Sequence, residues 1–354
     1  MKITFLIGNG FDLNCGLKSS FMDVYQQYVK KDVISNPIKQ FKESISGDID
    51  LWSDFEVAMA NYMGEFDSER DFLICLRDFK SFLKNYLKEE ESTFSKRYNS
   101  YQVQNAIKQE MELSFRSFYK GITNNLENAI SKRLFKGGIY NAICFNYTNV
   151  FDHLAGITDE FIGSTIIHIH GYVDDLVLGM DNEGQLRKNF RTGEMTHRSK
   201  RAFLKPVFNK EYDENRTEMA IKMINESDII CVYGMSLGES DLTWRNTIFD
   251  WLASDEQRQL FIYDYHDSCR TYSTVDERLD IEEESKNFKL LQLNLLPGDF
   301  MEYFDRVHIP CGKNIFNIDK VINEATEKLK EEEKKKEEIR KNMASRPAEI
   351  GVGR

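Results

Sequence analysis

The feature that most constrains this chain is where its short apolar runs fall and which residues close each of them. Lys2–Ile7 is apolar apart from Lys2 and Thr4, and it runs into Gly8-Asn9-Gly10. Nothing similar recurs until Ile139–Phe145, which runs into Asn146-Tyr147-Thr148-Asn149. Thr165–His170 then meets Gly171, Asp228–Tyr233 meets Gly234, and two further runs occupy Gln259–Tyr265 and Leu290–Leu295. Runs of this length closed by Gly or Asn read as strands buried on both faces. Helices fit between them, at Tyr212–Glu226 and Ser240–Ala253, which implies a parallel sheet covered on two sides.

Between the first strand and the second, residues 18–135 are rich in Phe, Leu, Lys and Glu and nearly free of Pro. Apolar residues recur every three to four positions in Asp67–Leu87 and Val103–Leu134, the spacing of a helix face. The expected fold is therefore α/β: a doubly wound, mostly parallel, Rossmann-like sheet with a large helical insertion after its first strand. The core comprises 1–17 and 136–310, the insertion 18–135, and a C-terminal helical segment 311–341. A flexible tail, 342–354, ends the chain.

Charge narrows the function. Lys and Arg number 47 against 58 Asp and Glu, a net charge of −11. An acidic body argues against nucleic-acid binding, which needs a basic face. Glu327–Lys341 holds seven basic and six acidic side chains. That mixture suits a solvated helix held by i,i+4 pairs, or a helix that meets a partner or a second copy. Arg187–Lys210 is locally basic, with eight cations and only Glu194 opposing them. It reads either as a loop lying on the acidic body or as a lid whose cations meet phosphates. No run of 18 apolar residues occurs, so no membrane span is expected. The stretch after Lys2 is too short for a secretory signal. Cys15, Cys75, Cys144, Cys231, Cys269 and Cys311 form no C-x-x-C. Scattered single cysteines fit reduced thiols in a cytoplasmic protein.

Four motifs carry chemistry-bearing residues. Gly8-Asn9-Gly10-Phe11-Asp12 stands where a strand gives way to a helix, a place suited to phosphate. It lacks the third glycine and the later acidic residue of the dehydrogenase fingerprint, since position 13 is Leu13. A tight turn without a ligand is the plain alternative. Asn146, ending a strand, can hold a water or sugar hydroxyl, or cap the next helix. His168-Ile169-His170 places two imidazoles two residues apart. They read as a metal pair with Asp174 or Asp181, as a general base at His170, or as structural histidines. Tyr233-Gly234-Met235-Ser236 leads to Ser240 and Asp241 as helix N-caps, with Gly234 and Ser236 placed to meet ribose or phosphate. In an open α/β sheet all four motifs fall at the carboxyl ends of strands, where ligands bind.

The Gly8–Leu13 block, with Gly16-Leu17 and Ser19-Ser20-Phe21 after it, resembles the N-terminus of the AbiH family of phage abortive-infection proteins. Asn146–Asn149, His168–Gly171 and Tyr233–Asp241 fit the same family. The blocks are similar, more remotely, to the sirtuin-like NAD-binding fold. That resemblance implies Gly8 and Gly10 at the pyrophosphate, with Asn9, Phe11, Asp12 and Tyr147 around the nucleotide. It implies Asn146 orienting the nicotinamide ribose or a water, and His170 as base. Gly234 and Ser236 fall on the adenosine side, with Asp241 behind them. Deacylases of that superfamily carry a four-cysteine zinc module, which this chain lacks, so deacylation is not expected. The implied activity is NAD hydrolysis with release of nicotinamide, NAD being the substrate and no metal being needed. The alternatives are a non-catalytic nucleotide-sensing module of a defence complex and a metal-dependent phosphodiesterase. Partners, or a second copy, are expected to engage the insertion or the C-terminal helix.

Overall fold

The computed structural model describes residues 1–344 except 34, 49, 182, 187–188, 213–214, 264–273, 296 and 311–313. β1 (Lys2–Ile7) leads into α1 (Gly10–Asn14) and then α2 (Phe21–Tyr28), α3 (Asn36–Gly47), α4 (Phe55–Tyr62), α5 (Glu69–Arg97), α6 (Tyr101–Ser117) and α7 (Asn124–Phe135). Next come β2 (Ile139–Cys144), α8 (Val150–Gly156), β3 (Ile166–His168), the hairpin β4 (Asn189–Phe190) and β5 (Gly193–Glu194), and helices α9 (His197–Phe203), α10 (Lys205–Glu211) and α11 (Arg216–Asn225). β6 (Ile229–Tyr233), α12 (Leu242–Ala253), β7 (Gln259–Tyr263), α13 (Val275–Gln292), α14 (Phe300–Tyr303), β8 (Val307–His308) and α15 (Ile318–Ala344) complete the chain.

Six strands form one all-parallel sheet in the order β3-β2-β1-β6-β7-β8. This is the doubly wound Rossmann order, and the winding reverses between β1 and β6. Register then fixes where the loops emerge. Ile7 pairs with Cys144 on one side and Tyr233 on the other, and Cys144 pairs with His168. The four strand ends that precede the four motifs thus lie level across the sheet.

Alternation along the strands fills a layer on each face. Ile3, Phe5 and Ile7 bury against Ile107, Met111 and Phe115 of α6, Phe151 of α8, and Ile318 and Ile322 of α15. Leu6, Ile143, Ile230 and Val232 bury against Ala220 and Ile224 of α11 and Trp244 and Ile248 of α12. A third cluster forms a cap from two distant stretches. Tyr25, Phe41, Phe55, Phe72 and Phe79 pack with Val173, Leu178, Phe203 and Leu204. The helical stretch therefore divides: α2–α4 and most of α5 build the cap, whereas α6 lines the sheet.

Several expectations need correction. The strand expected at Leu290–Leu295 is the end of α13 and the turn after it, with Leu290, Leu293 and Leu295 buried. A short apolar run does not distinguish a strand from a buried helix end. The sixth strand is instead the two-residue β8. β3 stops at His168 rather than His170, and α11 begins at Arg216 rather than Tyr212. The charged C-terminal helix is present, but its first turns are sheet packing: Ala325 and Leu329 join Ile318 and Ile322 against the core. It continues to Ala344, through the start of the expected tail. Residues 345–354, Cys269 and Cys311 lie outside the described residues. Cys15, Cys75, Cys144 and Cys231 are buried free thiols. No described helix is long and apolar enough to cross a membrane.

Candidate functional site

The loops after β1 and β6 meet glycine against glycine. Gly8 donates its amide to the Tyr233 carbonyl and Gly10 to that of Gly234, both at 2.9 Å. A Cβ on Gly10 meets Gly234 Cα at 2.5 Å, and Gly234 itself has a φ of +68°. These glycines are required by the close approach of two backbones at the switch point. The Gly8 and Gly10 amides are consequently engaged within the protein rather than directed at a ligand.

Above this contact lies a cleft of about 670 Å³, within the usual range for small-molecule sites. Gly8, Asn9, Asp12, Asn146, Tyr147, His170, Gly234, Ser236 and Asp241 all line it. Two expected ligand contacts do not. Gly10 faces the neighbouring loop, and Phe11 is fully buried in the sheet core with Phe151 and Phe316 at 5.1 and 5.5 Å between ring centroids. An aromatic following the second glycine falls on the inward side of α1, so it packs.

Asp12 is the organising residue of the floor. Its carboxyl, 1% exposed, accepts from Asn146 Nδ2 at 2.8 Å and Thr148 Oγ1 at 2.6 Å. Burial raises its pKa and the two hydrogen bonds lower it again, leaving it at about 7. Asn146 is thereby held with its amide nitrogen turned to Asp12. Its Oδ1 is buried with no hydrogen-bond partner among the described residues. Asn9 closes the rim by accepting from Ser19 Oγ at 2.6 Å.

The two histidines take separate roles. His168 is locked between the Asn146 carbonyl (3.1 Å) and the Asp152 carboxylate (2.7 Å). His170 Nδ1 lies 3.0 Å from the Phe145 carbonyl, and Nε2 lies 3.0 Å from Lys205 Nζ. A carbonyl only accepts and an ammonium only donates, so Nδ1 carries the proton and Nε2 the lone pair. Burial, and then the Lys205 charge, push this imidazole well below its ordinary pKa. Both rings have both nitrogens engaged by protein groups, and the Lys205 ammonium stands where a metal on His170 Nε2 would sit.

The cap supplies residues that the motifs did not reveal. Glu56 of α4, buried, accepts from the Gly179 amide at 2.9 Å and from Lys205 at 3.0 Å. Burial raises its pKa to about 7 against the lowering pull of Lys205. Lys205, 4% exposed, also lies 3.5 Å from Asp181. Burial alone lowers an ammonium, but the Asp181 and Glu56 carboxylates reverse this and hold Lys205 above its ordinary value. Asp241 accepts from the Gly238 amide at 3.1 Å, and burial raises it to about 6. The legible signal for Glu56 and Lys205 was a lone charge inside an apolar window, Phe55-Glu56-Val57-Ala58 and Phe203-Leu204-Lys205-Pro206. A charge so placed needs a buried partner.

The rest of the basic segment mostly meets acidic side chains of the protein. Arg191 pairs with Glu65 and Asp67, Lys200 with Glu183, and Arg201 with Glu211. Arg187 and Lys188 lie outside the described residues.

Fold and site together define a Rossmann-ordered α/β protein with an acid-lined cleft at its switch point, roofed by a helical cap. The chain belongs to the AbiH family, bacteriophage abortive infection, whose family model matches residues 4–263. No curated protein and no solved structure matches it.

Proposed function

We propose that this abortive-infection protein binds NAD, or a closely related nucleotide, in the switch-point cleft and hydrolyses it, releasing nicotinamide. The observation that carries the reading is the Asn146 side chain. It lines the cleft, is held by a buried carboxyl, and keeps a buried amide oxygen with no partner among the described residues. Buried acceptors in native proteins are almost always satisfied, so this one calls for a donor from a ligand, such as a ribose hydroxyl or a water.

The surrounding charge suits the chemistry. Breaking the bond between C1′ and the pyridinium nitrogen leaves its electron pair on nicotinamide, which departs neutral, and builds positive charge on the ribose. Asp12, Asp54, Glu56 and Asp241 line the same cleft, and carboxylates stabilise such an oxocarbenium-like state. The attacking water forms the new C1′–O bond and gives its proton to His170 Nε2, whose neutral ring is the accepting form. Proton transfer of this kind contributes roughly 10²–10⁴-fold. Asn9, Ser19, Ser236 and Ser240 supply polar groups along the rim for the pyrophosphate and the second ribose.

One observation favours a second reading, in which the cleft senses a nucleotide without turning it over: the ammonium seated on His170 Nε2. Incubating the purified chain with NAD and separating the products decides between them. Hydrolysis predicts nicotinamide and ADP-ribose in equal amounts, lost in Asn146→Ala and His170→Ala while far-UV circular dichroism is unchanged. Saturable NAD binding without product supports the sensor. Neither binding nor product overturns both.

A further inference from the structure

Lys205 is a single buried cation in contact with three groups from three parts of the chain. It reaches Glu56 of the cap helix α4 at 3.0 Å, His170 after β3 at 3.0 Å, and Asp181 at 3.5 Å. Of the three ammonium protons, two have hydrogen-bond acceptors in Glu56 and His170, and Asp181 adds an ion pair. The Glu56 carboxylate is fixed a second time by the Gly179 amide, and the His170 ring by the Phe145 carbonyl. Lys205 opens α10 immediately before Pro206, at a helix start where no side chain caps the first turn.

We propose that Lys205 is the positioning residue of this cleft: its ammonium covers the only lone pair of His170 and ties that ring to Glu56 of the cap, so His170 accepts a proton only when Lys205 leaves Nε2. Two cleft-lining groups, one from the sheet edge and one from the cap, are thus set by one cation drawn from the basic segment. The charged and titratable groups acting on His170 are Lys205 and His168, with the Tyr147 ring packed against it at 5.8 Å, while Asp181, Glu56 and Asp241 act on Lys205 itself. Glu56 and Asp181 are in contact with Lys205, so withdrawal of the ammonium leaves their charge uncompensated beside the ring, which favours imidazolium. The inference rests on the reading of His170 as proton acceptor, but the contact itself is testable without turnover.

The test is ¹⁵N-imidazole NMR of the full-length chain, with the His170 signals assigned through His170→Gln. In the wild type, His170 stays neutral with an unprotonated Nε2 from pH 8 down to pH 5. In Lys205→Met the same ring gains a titration within that range, a rise of about one pH unit or more. Lys205→Gln, which keeps a donor but no charge, moves it in the same direction, and Lys205→Arg keeps wild-type behaviour. Should Lys205→Met fail to fold, the comparison of Gln with Arg carries the same information. An unchanged His170 titration in both neutral variants overturns the proposal. So does a wild-type ring that titrates near its ordinary value. Nicotinamide release measured alongside separates the two readings: if no variant cleaves NAD yet the ring responds to Lys205, the positioning role stands and the hydrolase reading falls.

Discussion

Replacing Asp12 by asparagine tests the floor of the cleft quantitatively. The carboxyl sits at about 7 in the folded protein because burial disfavours its charge. In the unfolded chain it titrates near 3.9. As pH rises from 5, the unfolded chain is already ionised at this position while the folded protein still holds the proton. Stability is therefore lost with rising pH until the folded carboxyl ionises, near pH 7, and levels off above. Integrating the two titrations between pH 5 and pH 8 gives a loss of about 2–3 kcal/mol from this group. Asparagine has nearly the same shape and no charge. Thr148 can turn its hydroxyl to donate elsewhere, so one of the two hydrogen bonds at 2.6 and 2.8 Å is lost, at about 1 kcal/mol. That cost does not depend on pH. Urea unfolding of both proteins at pH 5 and pH 8 reads the difference. The variant is expected to fall less between the two pH values than the wild type, by about 2–3 kcal/mol. Equal falls would refute the claim that burial beneath Asn146 makes Asp12 hold its proton, against the lowering pull of its two hydrogen bonds.

Gly10→Ala places a methyl 2.5 Å from Gly234 Cα, backbone against backbone, and is expected to cost about 1–3 kcal/mol, seen as a lower Tm. Phe316→Ala opens the aromatic layer formed with Phe5, Phe11, Phe115 and Tyr233, and should lose about 3–5 kcal/mol in urea unfolding. Because both imidazoles of the H-x-H pair are engaged by protein groups, EDTA is expected to leave NAD cleavage unchanged. A chelator-sensitive rate, restored by added metal, would reopen the phosphodiesterase alternative.

The sheet was legible because its central strands are short, mostly apolar runs. β1, β2 and β6 also end in Gly or Asn turns, as buried parallel strands do, and their register brings the motifs together. Leu290–Leu295 misled because its apolar density belongs to a helix end packing on the sheet. β8, at two residues, carries too little pattern to notice. In the site, loop residues that bear functional groups were visible at the strand ends, and Asn146 and Asp12 do share one cleft. Phe11 was misplaced because a motif does not say which face of a short helix it presents. Glu56 was missed, and Lys205 was read only as one cation of the basic segment, for a different reason. They lie 149 residues apart in cap elements, and only tertiary packing brings them to 3.0 Å.

Hydrogen–deuterium exchange with and without saturating NAD tests the central claim most directly, because it asks whether one dinucleotide touches all the loops at once. Protection is expected at residues 8–12, 145–148, 168–171 and 234–241, the segments at the carboxyl ends of β1, β2, β3 and β6. Protection confined to the cap or to α15, or no protection at a concentration that saturates binding, contradicts the account.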